Sequence, residues 1–100
     1  LGNTPLMLAA DAGHAATVQA LVDGGAALDG ANLAGNTALI LAASRGHTDA
    51  ASVLLKAGAE PRILNKQREN AVMAANANGR TETAAAIGEA LKRRKLFGLF

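Results

Sequence analysis

Apolar residues recur along this chain in short stripes broken by glycine. Leu6, Ala9 and Ala10 stand at the i, i+3, i+4 spacing of one helical face. Thr4 just before them is a good N-cap, and Pro5 suits the first helical position, where its missing N–H has no partner to lose and its φ is already helical. Gly13 stops the helix, because glycine adopts the left-handed conformation that ends many helices. A second helix is predicted from about Ala15 to Asp23, with Val18, Leu21 and Val22 on one face and Gly24-Gly25 as its stop. The same grammar then returns. One helix is predicted from Thr37 to Ser44, closed by Gly46, and another from Thr48 to Lys56, with Ala51, Leu54 and Leu55 inward and Gly58 as its stop. Stretches 26–34 and 59–67 mix turn formers (Gly30, Asn32, Pro61, Asn65) with a few apolar residues, which suits extended fingers and not helices.

The return is a repeat with a period of 33 residues. Shifted by that amount, Gly2 to Ala10 falls on Gly35 to Ala43 with seven of nine positions identical, and Gly13-His14, Leu21, Gly25-Ala26 and Asn32 meet Gly46-His47, Leu54, Gly58-Ala59 and Asn65. A degraded third copy starts at Arg68, where Ala71, Ala75, Gly79, Thr81, Ala84 and Ala90 still match the second. The expected organisation is a single domain of repeats 2–34, 35–67 and 68–91, followed by a basic and hydrophobic tail, 92–100. Such short helices are marginal alone. Stacked as pairs they bury their stripes against the next pair, which is the physics of a solenoid.

These residues resemble the ankyrin repeat. The resemblance rests on Gly2-x-Thr4-Pro5-Leu6, Leu8-Ala9-Ala10, Gly13-His14, Leu21 and Gly25-Ala26, all recurring one period later except Pro5, where Ala38 stands. It implies an all-α ankyrin-repeat solenoid of stacked antiparallel helix pairs with hairpin-like connecting fingers. The sequence departs from the family pattern at Met7, Ile40 and Met73, where the family's usual His would hydrogen-bond the backbone and an apolar contact is expected instead. Pro61 and Arg62 also replace the usual acidic-apolar-Asn connector. The resemblance further implies a protein-binding module whose concave face combines finger tips with the exposed side of the first helix of each pair. Carried over position by position, that face holds Asn3, Asp11 and Ala12 in the first copy. Leu33, Ala34, Asn36, Ser44 and Arg45 follow in the second, and Lys66, Gln67, Glu69, Ala77 and Asn78 in the third.

Composition narrows the remaining possibilities. Half of the 100 residues are apolar, but 25 are Ala, so the core is thin and a deep catalytic cavity is not expected. Cys is absent, which removes disulfides, Cys-based zinc sites and thiol catalysis and leaves the redox character of the compartment unread. His14 and His47 lie one repeat apart without accompanying metal ligands and read as structural residues of the inter-helix turn. Ser44 and Ser52 sit on no nucleophile motif, and Gly24-Gly25 lacks the continuation of a phosphate loop. No catalytic, cofactor or metal site is therefore expected. No apolar run approaches the ~20 residues of a spanning helix. A soluble protein is expected, with the cytoplasm as the default compartment. Leu1 opens the chain at the edge of a repeat, so the chain is expected to be part of a longer one whose N-terminal signal, if any, lies upstream.

The charge is unevenly placed. Lys92, Arg93, Arg94 and Lys95 carry four of ten basic residues, and residues 1–91 hold six basic against eight acidic. A body of that sign disfavours a nucleic-acid partner, which needs basic groups spread over a face. Leu91 replaces the glycine that stops the earlier second helices, so the last helix is expected to continue and end near Lys95 or Gly98, with the Phe residues folding back over the end of the stack. The alternative use of Lys92 to Phe100 is a weak, salt-sensitive anchor for an anionic membrane or acidic partner. A purely architectural capping role for the whole chain is the remaining alternative. The favoured reading is recognition of another protein through the concave face.

Overall fold

The computed structural model describes the backbone of residues 1–98 and the side chains of residues 1–94. Six helices follow in order: α1 (Pro5–Ala12), α2 (Ala15–Asp23), α3 (Ala38–Arg45), α4 (Thr48–Ala57), α5 (Ala71–Ala77) and α6 (Thr81–Gly98). The first helices of the pairs, α1, α3 and α5, pack in an inner row, and the second helices, α2, α4 and α6, form an outer row behind it. Fingers connect one pair to the next.

Local chemistry places each start and stop. Thr4 Oγ1 accepts from the Met7 N–H at 3.2 Å, Thr37 Oγ1 from Ile40 at 3.2 Å and Asn70 Oδ1 from Met73 at 2.9 Å, so the third copy keeps an N-cap after losing its threonine. At the ends of α1 and α3, Gly13 and Gly46 are left-handed, each with φ 78°, and the N–H groups of His14 and His47 close back on Ala9 O and Ala42 O.

Alanine decides the spacing of the rows. Ala10, Ala42, Ala43, Ala71 and Ala75 are fully buried along the inner helices, and Val18, Leu39, Leu54 and Ile87 supply most of the bulk between the rows. Thr48 and Thr83 pair through their hydroxyls at 2.7 Å across the outer row, and no buried side-chain polar atom among the described residues lacks a partner. Burial depends on position in the stack as well as on residue type. Leu54 and Leu55 are buried, whereas the equivalent Leu21 and Val22 are only half-buried, because α4 lies between two neighbours and α2 against one. The apolar contact expected in place of the family's His forms at Met7 and Ile40, which the following pair covers. It does not form at Met73, which is 49% exposed because the described chain has no fourth pair to cover it.

The last helix runs on as the missing glycine implies. Its extension gives Arg94 a structural role. Arg94 Nη2 donates to Leu55 O at 2.6 Å and Nη1 to Ala59 O at 2.9 Å, capping the carbonyl end of α4 with a cation. The expected fold-back of Phe97 and Phe100 lies outside the described side chains.

The left-handed finger positions Gly2, Gly35 and Arg68 mark how the stack propagates. Gly35 has φ 80°, and a Cβ there would stand 2.9 Å from Lys66 N in the next finger. Arg68 occupies the equivalent place with φ 64°, beyond the last described finger contact. Gly35→Ala is expected to destabilise by about 1–3 kcal/mol, since it combines backbone strain with a steric clash. Arg68→Gly is expected to be neutral or to stabilise by up to ~1 kcal/mol, as strain relief offsets the added chain entropy. Urea denaturation of the two variants checks the opposite signs. In the same assay Arg94→Ala should cost about 1–3 kcal/mol, the scale of charge-assisted hydrogen bonds to a helix end.

Candidate partner-binding face

The finger tips are built by asparagine. Asn32 Oδ1 accepts the N–H groups of Ala34 and Asn36, both at 3.0 Å, and its own backbone N–H donates to Asn36 O, also at 3.0 Å. Asn65 repeats the device one period later, accepting from Gln67 and Glu69 at 2.9 Å and donating to Glu69 O. Short polar side chains that bond their own backbone fix a turn without a hydrophobic core. The replacements at Pro61 and Arg62 leave this turn intact. Pro61 is buried, and the Glu60 N–H finds Asp29 Oδ1 at 2.9 Å.

The same asparagines join the fingers to one another. Asn32 Nδ2 donates to Asn3 Oδ1 and Asn65 Nδ2 to Asn36 Oδ1, each at 2.9 Å, while the Leu33 N–H meets Leu1 O and the Lys66 N–H meets Ala34 O, both at 3.1 Å. Asn3 and Asn36 therefore lie on the candidate face but spend their carbonyl oxygens inside the ladder. Glu69 holds the equivalent place in the last described finger, half-buried, with its backbone tied to Asn65. Between these anchors Leu33, Ala34, Lys66 and Gln67 lie at the tips, with Leu33 exposed to 68%.

The C-terminal ends of the inner helices form the second part. Asp11 and Ala12 on α1, Ser44 and Arg45 on α3, and Ala77 on α5 with Asn78 at its cap line up because they hold the same two adjacent register positions in successive pairs. Two contacts bridge the pairs. Arg45 Nε donates to Asp11 Oδ1 at 3.1 Å and Asn78 Nδ2 to Ser44 Oγ at 3.1 Å. The ion pair is exposed and adds little stability, on the order of 0–1 kcal/mol. Its effect is orientation. Asp11 engages Nε alone, and no ion pair among the described residues uses the terminal nitrogens of the Arg45 guanidinium.

The residues predicted for the face thus fall into two sets, the finger tips and the helix ends, each cross-linked between repeats. Asn32 and Asn65 hold the tips yet are absent from the residues that the sequence predicts for the face; their recurrence at the 33-residue interval is the signal that points to them. Arg68, exposed at the tip of the last described finger, has no comparable signal, because its left-handed backbone is set by the finger and not by the residue.

The histidines sit apart from this face in chemistry. His47 bonds through Nε2 to Asp11 O at 3.0 Å, tying α1 to the start of α4, and its ring fills the space beside Gly13, where a Cβ would come within 2.6 Å of Nδ1. His14 is exposed. Among the described residues no group of three or more His, Cys, Asp or Glu is placed to hold a metal ion, and no helix is long and apolar enough to cross a membrane.

Comparison with curated proteins finds no match. A family model described as ankyrin repeats (3 copies) matches residues 1–65, which cover the first two helix pairs and part of the finger after them. The described fold continues the same pairing through α5 and α6. With nearly two thirds of the sequence inside that match and an all-helical stack of pairs joined by asparagine-built fingers, the chain belongs to the ankyrin-repeat family.

Proposed function

We propose that this chain recognises a partner protein through its concave face, with residues 2–34, 35–67 and 68–91 acting as three repeats and 92–100 as an appended tail. Ankyrin repeats are generally protein–protein interaction modules, and family members typically bind without catalysing a reaction. The observation that carries the reading for this chain is the pair of inter-repeat bridges, Asp11 to Arg45 and Ser44 to Asn78, together with the exposed Leu33 at a finger tip. They hold a polar row in one geometry before any partner arrives, which lowers the ordering cost of binding. On this face Arg45 and Asn78 of the row offer a carboxylate-matching fork and an adaptable polar contact, and at the tips Leu33 offers an apolar contact and Lys66 and Gln67 further polar ones. Asn3, Asn36 and Glu69 serve mainly to hold the tips, and Asp11, Ala12, Ala34 and Ser44 shape the surface between them.

The test compares capture of partners by variant forms of the chain at low and high salt. Asp11→Ala/Arg45→Ala/Asn78→Ala should lose a partner that the native chain retains, and Leu33→Ala should weaken it by ~1 kcal/mol or more. A third form carries Lys92→Gln and Lys95→Gln but keeps Arg93, which lines the groove between α4 and α6, and Arg94, whose contacts with α4 are structural. It should retain the partner. Loss of binding confined to that form and to high salt would overturn the concave-face reading in favour of a tail-mediated tether.

A further inference from the structure

We propose a second docking site on the opposite, outer side of the stack: a groove between α4 and α6 that takes an acidic amphipathic helix of a protein partner. The groove has a volume of about 320 Å³. Leu55 and Ile87, both buried, form its floor, and Ser52, Ala86 and Ala90 form its walls. Its origin is legible from the repeat. Where α2 and α4 carry Val18, Gln19 and Val53, the next pair of outer helices carries Ala51, Ser52 and Ala86. Three substitutions to smaller side chains leave less side-chain bulk along this seam than the preceding pair carries.

Charge selects the occupant. Lys56 and Arg93 line the groove toward the C-terminal end of α4, and neither enters an ion pair among the described residues, whereas Glu89 on the rim is taken up by Lys92 at 3.9 Å. The end of the groove is thus cationic on a body that is otherwise mildly acidic. A ligand that matches it presents aliphatic side chains to the floor and carboxylates to Lys56 and Arg93. The walls are two helices side by side, α4 and α6. Small wall residues let a third helix approach to roughly 8–10 Å, the distance of ordinary helix packing. An anionic membrane fits less well, because the two cations stand at one end of a narrow seam and do not spread over a plane.

The site shares no residue with the concave face, so failure of one leaves the other standing. The test uses the whole chain, labelled with ¹⁵N, titrated with the acidic peptide acetyl-LEALEELLE-amide and, in a parallel arm, with vesicles of phosphatidylcholine and phosphatidylglycerol. Amide signals of Ser52, Leu55, Ala86 and Ala90 are expected to shift with the peptide while those of Arg45 and Asn78 stay in place. Ser52→Gln with Ala86→Val adds side-chain bulk to the seam using the residues the preceding pair carries, and binding should fall by about tenfold with the fold retained. Lys56→Glu with Arg93→Glu should give a loss of the same order, and added salt should weaken the native complex. The proposal is overturned if the peptide moves no groove signal, if the bulkier seam binds as well as the native one, or if the groove signals respond to the vesicles and not to the peptide.

Discussion

Close approach of successive inner helices is the constraint on which the rest of the molecule depends. Ala10, Ala42, Ala43 and Ala75 lose all contact with water in that row, and their single methyl groups let one backbone lie almost against the next. Short helices gain little from their own hydrogen bonds. Each pair is therefore held by its neighbours, and interior pairs bury more than end pairs. That gradient explains why Leu54 is sealed and Leu21 half-open; Met7 and Ile40 are covered because a following pair packs over each, and Met73 is open because no pair is described after it.

The same lateral approach organises the surface. Fingers brought side by side can exchange amide hydrogen bonds, and the asparagines at positions 3, 32, 36 and 65 convert that proximity into a ladder. At the helix ends it brings Arg45 to Asp11 and Asn78 to Ser44. None of these exposed contacts contributes much stability. Together they limit the conformations of side chains that would otherwise sample many rotamers, which is what a recognition surface needs from its scaffold. Arg94 shows the converse, a residue of a basic run whose guanidinium is drawn into the structure because two carbonyls at the end of α4 lie within its reach.

Much of this was written in the sequence. The 33-residue return of Thr-x-Leu, Gly-His and Gly-Ala, the caps at Thr4 and Thr37 and the stops at Gly13, Gly46 and Gly58 determined where helices begin and end, because capping and left-handed termini are decided by a few adjacent residues. The resemblance to ankyrin repeats implied the candidate face, and the period carried it from one repeat to the next. Tertiary structure decided which members of that face are tied to one another, that Asn32 and Asn65 hold its tips, that Met73 stays open to water and that Arg94 caps a helix distant in the chain. Those outcomes depend on distances between side chains of different repeats and on whether a neighbouring pair is present, and a local reading of residues contains neither quantity.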